Sequence, residues 1–427
     1  MKTGIALIVG GHQILEDVVR QYHDRHFSVT RISHADYSGE SADELFIATE
    51  VSAGETVAED MKNINFIRTL SKTLDEKHYL RCHILLHSNE IMNMVVRDGL
   101  CDDLSSKIEI LPFTELGLLA RRVLAPLPGE RLLCNPIDGG MIAYESSKTV
   151  HLVLFGMNDM SETFAEYAAL TCHYPAYSRD HSLRTRITIV DDDMSERIHG
   201  FLNRYPHLFD NSFYRIVDLK TDKGASVTSF HSPQYDGERE DFVDIEWEFV
   251  CGGIWSKVLR EKLSSWAKNE RQLLAVALCH DTDDENVEVA VQLPCELSSG
   301  RVPVLIKKRA VEVSDLLSER LNLVALGKNE CTYDINTPLV KLAKMVNHVY
   351  DCCYEDNYLK GDDTSAVFYP VSIDKERMED SWRSLSTSMK LSNMYNAMTI
   401  PVKMRSVGLG ADSWSEFYSL SSKEIAI

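Results

Sequence analysis

The stretch HLVLFGMNDMSETFAEYAAL, residues 151–170, decides how this chain is read. His151–Phe155 is a short apolar run of the buried-strand type, and Gly156 closes it. Phe164, Tyr167, Ala168 and Leu170 then recur at helical spacing. A strand, a glycine turn and a helix make one βα unit, and the unit repeats downstream. Arg186–Val190 is the next strand and runs into Asp191-Asp192-Asp193. A helix face of Ile198, Phe201 and Leu202 follows, then the strand Phe213–Leu219. Leu273–Cys279, Val302–Ile306 and Leu323–Leu326 are further strands, with helices predicted over Glu285–Leu293 and Val313–Leu321. Residues 221–250 are polar and then alternate through Val243, Ile245, Trp247 and Phe249, which predicts a half-exposed strand or arm before a helix over 254–268. Strands alternating with helices imply a parallel sheet, because parallel neighbours need a long return connection.

Residues 1–125 carry the same rhythm. Ile5–Val9, Phe27–Ile32, Leu45–Ala48, Cys82–Leu86 and Ile108–Leu111 read as strands, with helices around 64–78, 89–98 and 114–124. Residues 126–149 hold Pro126, Pro128, Gly129, Pro136, Gly139 and Gly140 and read as a linker. From 337 the rhythm stops, leaving two helical stretches, 338–354 and 384–406, joined by an acidic and aromatic connection. The expected organisation is therefore α/β. Two Rossmann-like, doubly wound parallel-sheet domains at 1–125 and 150–332 precede a small, mainly α block at 337–427.

Composition narrows the class. The 427 residues carry 45 Lys and Arg against 65 Asp and Glu, a net charge of −20. With 44% hydrophobic and 26% charged residues, a largely disordered chain is excluded. No basic stripe stands out to displace counterions from phosphates, so no nucleic-acid partner is expected. The longest apolar runs fall well short of the roughly 18 residues of a membrane span. The opening MKTGIALIVGG lacks a small-residue cleavage site and reads as a first strand, placing the chain in the cytoplasm. Ten cysteines are scattered with no CxxC, as expected of reduced thiols.

A dinucleotide-binding turn needs glycines for the tight turn, for backbone approach to pyrophosphate and for helix packing. After the strand at 151–155, Gly156 fills the first place, Asn158 the second and Ser161 the third. Asp191 ends the next strand, 35 residues on, where a carboxylate would accept from ribose hydroxyls. Such a turn either holds a nucleotide or keeps the fold alone. The corresponding run Gly10-Gly11-His12-Gln13-Ile14-Leu15 has a bulky third position and predicts no ordinary dinucleotide. His78, His83 and His87 resemble a ligand cluster, yet two residues four apart on a strand stand about 13 Å apart. Asp281, Asp283 and Asp284 follow a strand at the edge where ligands of such folds bind, and helix capping explains them equally. The sequence holds no GxSxG, Walker lysine or HExxH motif.

Two resemblances follow from these runs. HLVLFG at 151–156, TRITIVDD at 185–192 and LLAVALCHDTDDENVEVAVQLP at 273–294 resemble the TrkA-N type of Rossmann domain, also called the regulator of potassium conductance domain. ELFIATE at 44–50 and KIEILPFTELGLLARRVL at 107–124 resemble it more faintly. Ala343, Val346, Asn347 and Tyr350, with Trp382, Leu385, Lys390, Ser392-Asn393, Ala397, Ile400, Lys403, Met404 and Gly408, resemble the ryanodine receptor repeat, the RyR domain. The resemblances imply a non-enzymatic sensor or regulator that binds a nucleotide-like ligand such as NAD or another adenine nucleotide. They also imply a homo-oligomer and a membrane transporter or signalling protein as partner. Gly156, Asn158, Ser161 and Asp191 would line the nucleotide pocket, and Asn347, Tyr350, Trp382 and Asn393 a second pocket in the RyR block. The competing readings are an NAD-dependent oxidoreductase with His280 as proton donor, and a ligand-free scaffold.

Overall fold

The computed structural model describes residues 4–35, 42–52, 54–75, 79–127, 130, 133–134, 142–219, 225–233, 243–299, 301–307, 317–327, 332–355 and 374–406. The chain divides into two compact units. One joins the residues up to Leu118 with Cys331–Ile400, and the other runs from Leu119 to Glu330 and takes in the described residues from Pro401.

The first unit is built from β1 (Gly4–Val9), α1 (Leu15–Asp24), β2 (Phe27–Ile32), β3 (Glu44–Ile47), α2 (Thr56–Ser71), β4 (Leu80–Leu85), α3 (Asn89–Arg97) and β5 (Ile108–Phe113), with α4 (Glu115–Leu124) leaving it. Its five strands are all parallel, in the order β2-β1-β3-β4-β5. Period-two alternation sorts the side chains onto two faces. Leu7, Leu45, Cys82 and Ile84 meet Ile64, Ile67 and Leu70 of α2. Ala6, Ile8 and Phe46 meet Leu15, Val18 and Tyr22 of α1 on the other face.

The second unit follows with β6 (Thr149–Phe155), α5 (Asp159–Thr171), α6 (Ala176–Arg179), β7 (Thr185–Asp191), α7 (Ser195–Arg204), α8 (Pro206–Asp210), β8 (Phe213–Asp218), β9 (Ser226–His231), β10 (Ile245–Cys251), α9 (Lys257–Lys268), β11 (Gln272–Leu278), α10 (Asp283–Gln292), β12 (Pro303–Lys307) and β13 (Asn322–Leu326). Its sheet has eight strands in the order β13-β12-β11-β6-β7-β10-β8-β9. Two expectations are corrected. The sheet is mixed, because β9 pairs antiparallel to β8; the connection between them is too short for the dozen or so residues of a parallel crossover. The 243–249 alternation is also no half-exposed arm, since β10 lies between β7 and β8 with Trp247, Phe249 and Glu248 all buried. Glu248 tolerates that position because Arg215 and Lys262 reach its carboxylate at 3.1 and 2.9 Å.

The third stretch forms α11 (Pro338–Glu355), α12 (Lys375–Ser384), α13 (Thr387–Met398) and α14 (Ile400–Ser406). These helices do not stand apart as the expected 337–427 block. Leu391 of α13 joins the core under β3, β4 and β5, and Ser388 donates to Asp102 through both its backbone N–H and its hydroxyl. The first four residues of the predicted 313–321 helix, most of the 126–149 linker's punctuation, His78 and Gly408 lie outside the described residues.

Candidate functional site

In the eight-stranded sheet β11 and β7 flank β6, so the chain leaves β6 in one direction and later returns on its other side. This reversal opens a crevice at the carboxyl ends of β6 and β11, where ligands of open α/β sheets bind. Gly156 makes the close approach there possible. Its φ is +93°, and a Cβ at that position would stand 3.0 Å from the His280 backbone nitrogen.

The four residues predicted for this edge do come together. Asn158 caps α5, its Oδ1 accepting from the Met160 and Ser161 N–H groups at 3.1 and 3.2 Å. Ser161 Oγ accepts in turn from the Asn158 N–H at 3.0 Å, closing a reciprocal capping box. Asn158 Nδ2 donates across the crevice to the Cys279 carbonyl and to Asp281 Oδ1, the latter at 2.9 Å. Asp191 Oδ2 accepts from the Met157 N–H at 2.7 Å, and Oδ1 from the Asp193 N–H at 2.9 Å. The helix-start amides that would cradle a pyrophosphate are thus held by the chain's own side chains. Exposed Asp159 adds negative charge beside them. What the edge presents instead is a set of carboxylate acceptors, Asp191, Asp192 and Asp281, suited to hydroxyl and N–H donors.

Sequence reading missed Trp255. It stands 62% exposed on the loop leaving β10, with its indole N–H donating to Glu288 at 3.2 Å. Its signal was the pair Gly252-Gly253 at a strand end, where a Cβ on Gly253 would meet Asp192. His280 packs its ring on the Gly156 turn and is pinned by Asn286, which accepts from its N–H and donates to its carbonyl, both at 2.9 Å.

The carboxyl edge of the first sheet holds a second constellation that sequence reading set aside. Gly10, at φ +108°, leaves only 2.0 Å between a would-be Cβ and the Ala48 carbonyl oxygen. Fully buried Asp60 on α2 accepts from the His87 and Ser88 N–H groups and from His87 Nδ1 at 3.1 Å. His87 Nε2 has no hydrogen-bond partner among the described residues, and the His12 ring meets it edge-on at 6.3 Å. His83 belongs elsewhere. It lies on the buried face of β4, between Tyr333 at 2.7 Å and Glu44 at 3.2 Å. Burial alone would raise the Glu44 pKa, yet His83 and Arg81 together hold its carboxyl below the usual range.

The residues predicted for the RyR block do not converge. Asn347 is buried and donates to Ser381 at 2.8 Å and Asp351 at 3.2 Å. Tyr350 is 57% exposed, and half-buried Asn393 donates to the Met389 carbonyl on its own helix. Trp382 is fully buried, with its indole N–H on Glu109.

No family model matches the sequence, and no curated protein matches it. The solved structures found similar include an alpha-glucosyltransferase in complex with UDP and a 13-mer DNA containing a HMU base. Identity to it is 10% over 93% of this chain and 95% of that one, with a TM-score of 0.19. Another is an alpha-glucosyltransferase with UDP-glucose and DNA containing an abasic site, at 10% identity over 98% and 99% of the two chains and a TM-score of 0.20. Both neighbours are alpha-glucosyltransferases in complex with DNA, against which the expectation of a non-enzymatic sensor without a nucleic-acid partner is not carried further. TM-scores this low carry no activity, substrate or partner over to this chain. The nucleotides in those two structures are UDP and UDP-glucose, not NAD or an adenine nucleotide. Among the described residues no helix is long and apolar enough to cross a membrane.

Proposed function

We propose that this chain binds a nucleotide at the carboxyl edge of its eight-stranded sheet, with NAD or another adenine nucleotide as the finer reading and the cytoplasm as its compartment. The observation that carries it is the Gly156 turn, closed against His280 at the point where the strand order reverses, with the Asp191 carboxylate at the next strand end. Asp191 and Asp281 would accept from ribose hydroxyls or base N–H groups, and exposed Trp255 offers a ring on which a base stacks. Asn158 would release the α5 amides to a phosphate, or the ligand would enter by its nucleoside end. The same proposal keeps the TrkA-N affiliation for the two sheets and the RyR affiliation for α11 to α14.

The test is calorimetric titration of the purified full chain with NAD, ATP and ADP-ribose. We expect saturable binding that weakens about tenfold, roughly 1.4 kcal/mol, in Asp191→Ala. Asp191→Asn, which retains an acceptor for the Met157 N–H, separates ligand contact from loop support. Equal affinity in all three proteins would remove the site. Chromatography of the same samples reads whether the ligand is consumed.

A further inference from the structure

We infer that the second unit carries a separate site for an oligophosphate at the amino edge of the same sheet, where β6, β11 and β12 begin. A cavity of about 870 Å³ opens there, within the roughly 300–1,000 Å³ range of small-molecule sites. Four cations line it from three stretches of chain: Lys148 before β6, Lys268 and Arg271 at the two ends of the α9–β11 connection, and Arg301 before β12.

Among the described residues, the acids lining the cavity do not balance these charges. Glu296 is taken by Lys268 at 2.8 Å, which leaves Glu270 against Lys148, Arg271 and Arg301. A neighbouring cavity of about 850 Å³ along α9 shares Lys268 and Glu296 and adds Arg260, Arg320 and Lys257, the last paired with Glu261 at 3.7 Å. The Arg320 guanidinium is fixed on the Val291 and Leu293 carbonyls, both at 2.7 Å. Positive charge thus collects around the first cavity, at the amino edge of the sheet, in a chain whose net charge is −20. Like charges held together cost free energy unless a counter-charge sits among them. Arginine forks match phosphate oxygens two at a time, and several cations around one cavity suit several linked phosphates better than a single one. The carboxyl edge discussed above lies a full strand length away, about 20 Å at 3.3 Å per residue. Neither site shares a residue with the other, so this inference does not rest on the nucleotide reading.

The experiment titrates the full chain with inorganic tripolyphosphate, without divalent cations, at about 50 mM and about 300 mM salt. Saturable binding is expected at low salt and should weaken at high salt. The double variant Arg271→Gln, Arg301→Gln should lose at least about tenfold in affinity, Arg271→Lys should lose less, and Asp191→Ala should bind as the unmodified chain does. Circular dichroism on each variant confirms the fold. Undiminished binding by the double variant, or loss of binding in Asp191→Ala, overturns the assignment. So does a single-stranded oligonucleotide that displaces tripolyphosphate at lower concentration through the same arginines, since the edge would then be a nucleic-acid surface.

Discussion

Lys390 is fully buried on α13, where its ammonium donates to the Tyr79 hydroxyl at 3.0 Å. Burial pushes its pKa down to about 8, against the pull of Glu109 and with the repulsion of Lys344. The sign of the pH effect follows. The unfolded chain holds this proton up to about 10.4, so between about 8 and that value the unfolded state binds more protons than the folded one. Stability contributed by this residue therefore rises with pH across that window. Compared with Lys390→Met, the unmodified chain should gain about 2–3 kcal/mol between pH 8 and 10.5, measured by urea unfolding. A constant difference across those pH values would show that the buried amine does not titrate there. Asp60 is legible in retrospect at the same scale. A carboxylate inside the helix α2 pattern, buried with Ile64 and Ile67, is only tolerable because three donors from the end of β4 converge on it.

At the scale of elements, a buried hydrogen bond fastens α12 to β5. The Trp382 indole N–H meets Glu109, which Arg81 of β4 also holds at 2.8 Å. Burial would raise the Glu109 pKa, and Arg81 and Lys344 outweigh it, so the carboxyl stays below its ordinary range. Trp382→Phe keeps most of the apolar area but leaves a buried charged acceptor short of one donor, which should cost about 1–3 kcal/mol in chemical denaturation. A change below about 0.5 kcal/mol would mean that the indole N–H contributes nothing. Helical periodicity announced the elements on either side of this contact, whereas the contact itself joins positions 273 residues apart. The same holds for β10. Its alternating Val243, Ile245, Trp247 and Phe249 gave the strand correctly and its exposure wrongly, because the polar partners that bury Glu248 come from β8 and α9.

For the whole molecule, the thiols test the packing of both units together. Cys82 and Cys279 lie in separate cores, fully buried, and burial raises the Cys279 thiol to about 12. Cys295 is exposed. Brief labelling of the native chain with a thiol reagent, followed by peptide mapping, should modify Cys295 and spare Cys82 and Cys279; labelling of all three at one rate would contradict the two cores.

The sequence by itself determined the βα rhythm, the positions of the strands other than β9, and the glycine turns at Gly10 and Gly156, because apolar period and backbone conformation are properties of a few consecutive residues. Tertiary structure alone decided where β9 and β10 sit in the sheet, that α13 joins the first unit's core, and that Asp60 meets His87. It also gathered Lys148, Lys268, Arg271 and Arg301 around one cavity. Those outcomes depend on which distant segments fold beside one another, and spacing along a chain does not encode the separation of side chains across it.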